Sequence, residues 1–60
     1  MKEIKIRNYL FHDKTSGEDF LVESLTEETA YIYAYQYFET PKLISEVSDF
    51  EAEMMGLDTY

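Results

Sequence analysis

A chain of 60 residues that is 45% hydrophobic and 17% aromatic is too apolar for disorder, even at a net charge of -8. At that length, residues 1–60 are expected to form a single domain that buries only about 60% of the surface of its unfolded chain, and without cysteine neither disulfides nor a thiolate zinc site reinforces it. No apolar run approaches the ~20 residues of a membrane span and the N-terminus lacks a signal-peptide pattern, so the expectation is a soluble cytosolic protein with no membrane role.

Residues 3 to 12 form a β-rich run in which Ile4, Ile6 and Leu10 share one parity and Tyr9 and Phe11 the other. A strand with a bulge near Asn8 reconciles the two phases. Asp13-Lys14-Thr15-Ser16-Gly17-Glu18 reads as a hairpin loop with Gly17 in the left-handed position. Phe20 to Leu25 is then a second strand, with Phe20 and Val22 on one face and Leu21, Glu23 and Leu25 on the other.

Thr26 is the natural N-cap of a helix from Glu27 to about Phe38, with two glutamates at the positive end of its dipole and Leu25 placed to staple onto Ala30. At about 100° per residue, Ala30, Ala34, Tyr37 and Phe38 centre the buried face, bordered by Tyr33 on one side and by Tyr31 and Tyr35 on the other. Ile32 falls on the opposite side, among Glu28, Thr29, Gln36 and Glu39. Pro41 disfavours helix at Thr40, so the chain turns into a third strand, Lys42 to Val47.

Ser48 and Glu51 form a capping box that opens a short helix, Asp49 to Met55, and Gly56 closes it, with Leu57 placed for the apolar contact that follows a glycine cap. The fold class is therefore α+β, in the order β-β-α-β-α: a three-stranded sheet with the first helix on one face and a short C-terminal helix. The second sheet face, assigned Lys5, Arg7, Leu21, Glu23 and Ile44, is covered by the short helix through Phe50, Met54 and Leu57 or, failing that, by another chain.

Charge is unevenly distributed. Lys2, Lys5, Arg7 and Lys14 fall in the first fourteen residues with two acids, whereas the remainder holds eleven carboxylates and only Lys42. After Lys42 there are five acids and no base. Every phosphate contact needs compensating positive charge, so direct nucleic-acid binding is disfavoured, and the simpler task of the basic strand is to pair with carboxylates on adjacent strands.

Catalysis finds little support, because His12, the single histidine, stands beside Asp13 without the nucleophile and orienting group of a triad. Asp13, Glu18 and Asp19 share one loop, yet their spacing matches no calcium loop. With glycine at Gly17 and Gly56 only, there is no phosphate-cradling loop. No catalytic residue, metal ligand or cofactor is expected.

A fixed anionic surface does suit a basic groove on another protein. Glu28, Glu39, Glu46, Glu51 and Glu53, with Tyr31, Ile32 and Tyr35 as apolar anchors, are the candidate contact residues. The Asp-Lys-Thr-Ser-Gly-Glu hairpin, followed by Phe-Leu-Val-Glu and a Thr-Glu-Glu-Thr-Ala helix in a short, acidic, tyrosine-rich chain, resembles the small accessory proteins of bacteriophages and mobile elements. That resemblance is one of type over the whole chain. It implies an inhibitor of a host protein, in defence or in nucleic-acid handling, and carries over no residue role. The expected function is thus protein binding by a homo-oligomeric module; the alternative is a self-assembling structural module in which acidity only maintains solubility.

Overall fold

The computed structural model describes residues 5–60. Its elements are β1 (Arg7–Asp13), β2 (Asp19–Ser24), α1 (Glu27–Tyr37), β3 (Pro41–Val47) and α2 (Asp49–Met55), the expected β-β-α-β-α order of an α+β fold. β1 is the central strand, antiparallel to β2 on one side and to β3 on the other, so the sheet order is β2-β1-β3. The connection from β2 to β3 therefore passes over β1, and α1 makes that crossing.

Alternation along the strands assigns the two faces. Tyr9 pairs with Val22 and Phe11 with Phe20, and these four rings and side chains form the core with Ala30 and Ala34 of α1. Alanine at both helix positions lets the axis approach the sheet closely. Tyr31, Phe38 and Leu43 close the margin of this cluster. The rings form one connected set: Phe20 stacks on Phe38 at 3.9 Å and on Phe11 at 5.5 Å, while Tyr31 meets Phe11 edge-on at 5.0 Å.

Three expectations about this core need correction. The pairing of β1 with β2 runs without interruption from Arg7 to His12, so there is no bulge at Asn8. The irregularity lies instead in β3, where Ser45 pairs with Leu10 and Leu43 with Phe11, leaving Ile44 as the extra residue. The apparent change of phase arose from Ile6, which precedes the strand and is exposed, and from Leu10, which faces away from α1; Ile4 lies outside the described residues.

Tyr37, expected at the centre of the buried arc, is 60% exposed. The helix ends there because Phe38 adopts an extended conformation (φ -134, ψ 155) that swings its ring onto Phe20. Arg7, assigned above to the face opposite α1, has the parity of Tyr9 and reaches Glu46 of β3 at 3.4 Å. This is the expected pairing between neighbouring strands, although an exposed pair at that distance contributes little.

The termini of both helices follow their capping chemistry. The Thr26 side chain accepts the Thr29 N–H at 3.2 Å. Ser48 accepts the Glu51 N–H at 3.1 Å and Glu51 accepts the Ser48 N–H at 3.4 Å, a complete capping box, and Gly56 ends α2 at φ 64. In the hairpin, Gly17 at φ 76 donates its N–H to the Asp13 carbonyl at 2.8 Å.

Beyond α2 the chain adds a feature the periodicity does not announce. Leu21 donates its N–H to the Asp58 carbonyl and Glu23 to the Tyr60 carbonyl, both at 2.9 Å, while the Tyr60 N–H returns to the Leu21 carbonyl at 2.8 Å. Residues 58–60 thus lie parallel to β2 along its outer edge. The Tyr60 ring meets Phe20 and Phe38 edge-on at 5.7 and 5.5 Å, and Tyr37 lies against it at 4.9 Å.

Asp13 joins two loops. Its carboxylate accepts the Ser16 N–H at 2.9 Å and the Thr40 N–H at 2.8 Å, tying the hairpin to the turn that precedes β3. Burial pushes this carboxyl up, but the donors from Ser16 and Thr40 outweigh it and hold the carboxyl below the ordinary aspartate value. A group depressed in the folded state contributes stability above its unfolded pKa and loses it as pH falls through the folded value. The thermal midpoint is therefore expected to decline below the usual aspartate range, and Asp13→Asn, which replaces one acceptor by a donor, is expected to lower the midpoint at neutral pH and flatten the acid slope in circular-dichroism melts.

Candidate protein-binding surfaces

The carboxylates and apolar anchors predicted as one contact surface are divided by the sheet into two. Glu28, Ile32 and Tyr35 follow one another at i, i+4 and i+7 and are exposed along one flank of α1, with Glu39 just beyond its end. Glu46 stands on the same side of the sheet, in β3, and shares its charge with Arg7. Glu51 and Glu53 belong to α2, which packs on the opposite sheet face, as the bond from Asn8 Nδ2 to Asp49 Oδ1 at 2.6 Å shows. A contiguous run of acids in sequence is therefore not a contiguous surface.

Tyr31 serves the fold more than the surface. Its ring is half-buried against Phe11, and its hydroxyl accepts the Leu43 N–H at 3.0 Å. Leu43 and Pro41 lie on the strand that ends the sheet. Since Pro41 has no N–H and the Leu43 N–H is already engaged, this edge offers few donors to an incoming strand. Residues 58–60 cover the other edge.

Tyr35 is exposed, but its surroundings are not anionic. It lines a shallow groove with Lys14, Thr40, Pro41 and Lys42, which gathers the two lysines nearest the α1 C-terminus. Ile32, 60% exposed, keeps the outward position its helical phase predicted. Leu25 is exposed as well, and lines an open groove with Ile6, Thr29 and Tyr33.

The α2 side of the molecule carries Glu23, Asp49, Glu51 and Glu53, with Lys5 and Arg7 lining a second groove beside Asp49 and Phe50. Between α2 and the sheet lies an open groove of about 390 Å³, lined by Asn8, Glu23, Asp49, Glu53, Leu57 and Thr59. The helix buries none of its residues: Ala52 is half-buried on the inner side, whereas Phe50 and Met54 are each 72% exposed on the outer side. The expectation that Phe50 and Met54 close the core on this face is therefore incorrect. The short helix is attached through Ala52, the Asn8–Asp49 bond and the chain segment that follows it, and at two turns it is too short to bury both sides.

Chemistry at the hairpin is equally specific. His12 Nδ1 lies 2.7 Å from Asp19 Oδ1 across β1 and β2, on the α2 side of the sheet. Asp13, read above as a neighbour of His12 and of a possible cation loop, has its carboxylate oxygens occupied by backbone N–H groups. Among the described residues no group of three or more metal-ligating side chains is brought together, and no helix is long and apolar enough to cross a membrane.

Two structural roles went unnoticed at the level of sequence: Asp13 as a clasp and Tyr60 as an anchor. An aspartate followed three residues later by serine in a turn does signal a local side-chain bond; its second bond, to Thr40, has no local signal. Comparison with protein-family models, with curated proteins and with solved structures gave no match to this chain.

Proposed function

We propose that this protein acts by binding another protein through its anionic surface, as an accessory protein of a bacteriophage or mobile element that inhibits a basic host protein of defence or nucleic-acid handling. The observation that carries this reading is the lack of internal neutralisation. Thirteen carboxylates face five lysines and arginines, and among the described residues Arg7–Glu46 is the one ion pair made by a lysine or arginine. A field of that kind extends from the molecule, speeds encounter with a basic partner and repels acidic ones and nucleic acid.

Substituting Glu28, Glu39 and Glu53 together by lysine leaves the capping role of Glu51 intact and removes charge from both sides of the sheet. The partner captured from a bacterial lysate is expected to bind this variant at least about tenfold more weakly at low salt, with the difference closing as salt screens it. Affinity unchanged at low salt would show that the acidity is only solubilising. Exposed Ile32 and Tyr35 on α1 support a second reading, self-association through that helix; light scattering of the purified protein separates the two, since a purely monomeric species removes it.

A further inference from the structure

We propose that the outer stripe of α2, Phe50 and Met54, is the anchor onto which the partner places a basic amphipathic segment, with apolar side chains one helical turn apart and lysine or arginine on both flanks. This rests on the anionic protein-binding reading and names the surface and the chemistry of the occupant. Phe50 and Met54 are the most exposed of the large hydrophobic residues described, at 72% each, and they stand at i and i+4 on one helix face. A single exposed apolar residue needs no explanation. Two aligned on a helix held by other means form an unpartnered face.

What holds α2 does not involve them. The capping box of Ser48 and Glu51, the left-handed Gly56 and the Asn8–Asp49 bond fix both ends and the inner side. At about 100° per residue, the Phe50–Met54 stripe is flanked by Asp49 and Glu53 on one side and by Glu51 on the other. There is no base from Leu43 to Tyr60, and among the described residues the bases that β1 and the two residues before it bring to the Phe50 end of the stripe are Lys5 and Arg7, the latter paired with Glu46.

That charge pattern selects the occupant. A second copy docking α2 on α2 would bring two sets of Asp49, Glu51 and Glu53 together against Lys5, which lines a groove with Asp49 and Phe50 beside an Arg7 already paired with Glu46, and the surplus of like charges across that interface opposes association. Phosphate-bearing surfaces are repelled by the same carboxylates. A segment with apolar side chains for the stripe and cations for both flanks satisfies the whole face, with Phe50 as a rigid anchor and Met54 as an adaptable one.

The test is an NMR titration of the full chain with a short helical peptide of leucines spaced i, i+4 among lysines, set beside oligolysine of equal charge. The leucine–lysine peptide is expected to shift the Phe50 and Met54 signals saturably and to bind at least about tenfold tighter than oligolysine. The Phe50→Ala/Met54→Ala double variant should abolish that preference while keeping a folded spectrum, because neither side chain is buried. Equal affinity of the two peptides, or shifts that map to α1, overturns the anchor and leaves the anionic reading standing. Absence of binding by both cationic peptides at low salt removes both. A concentration-dependent dimer in sedimentation that the double variant abolishes assigns the stripe to a second copy and also overturns the proposal.

Discussion

Phe20→Ala is expected to lower the thermal midpoint by at least about 12 °C or to abolish the cooperative transition altogether. The ring is 1% exposed and is the hub of the aromatic set, in contact with Phe11, Phe38 and Tyr60. Truncating a fully buried phenylalanine costs roughly 3 to 5 kcal/mol. At about 0.05 to 0.15 kcal/mol per residue, a domain of this size has a total stability of about 3 to 9 kcal/mol, so the loss is comparable with the whole. Far-UV circular dichroism melts check it. Ile32→Ala, on the exposed side of α1, is the control and should fall within about 0.5 kcal/mol of the parent; comparable losses at both positions would mean that the core is not where the rings converge.

Removal of residues 58–60 is expected to destabilise the protein and to make it self-associate. Three backbone bonds to Leu21 and Glu23 are lost, each contributing about 1 kcal/mol, together with the cover that the Tyr60 ring gives Phe20 and Phe38. The outer edge of β2 then presents unpaired N–H and C=O groups beside Leu21, a template for pairing with another chain. Tyr60→Ala separates the two effects, because it removes the ring and leaves the backbone bonds; it should cost about 2 kcal/mol without raising light scattering. A truncated chain with the parent's midpoint and a monomeric mass would show that the edge has no need of this cover.

The elements whose ends are set by local chemistry were legible in the sequence. Thr26 and Thr29, Ser48 and Glu51, Gly17 and Gly56 each act within a few residues, so α2 and the start of α1 match their expected bounds and β3 begins one residue early, at Pro41. What the sequence does not display are contacts between distant residues. Nothing near Pro41 says that β3 lies beside β1 rather than β2, nothing near Asp13 points to Thr40, and Tyr60 has no periodic partner at all. The candidate site suffered for the same reason: Glu46, Glu51 and Glu53 lie close in sequence, but β3 and α2 carry them to opposite sides of the sheet. Phe50 and Met54 were visible as a helical pair, but which way that pair faces depends on Ala52 and Asp49, which only the packed helix reveals.

The central position of β1 has a consequence for how the chain is made. The β1–β2 hairpin, complete once Ser24 is synthesised, must wait for Pro41–Val47 to fill one of its edges and for residues 58–60 to fill the other. At roughly 5 to 20 residues per second, the interval between Ser24 and Tyr60 lasts about 2 to 7 s. During that interval the outer edges of the hairpin are open, that of β1 until Pro41–Val47 arrives and that of β2 until residues 58–60 do. Closure of the sheet is thereby deferred until residues 58–60 have been added, and the acidic second half, arriving in the same interval, supplies like-charge repulsion between neighbouring nascent chains.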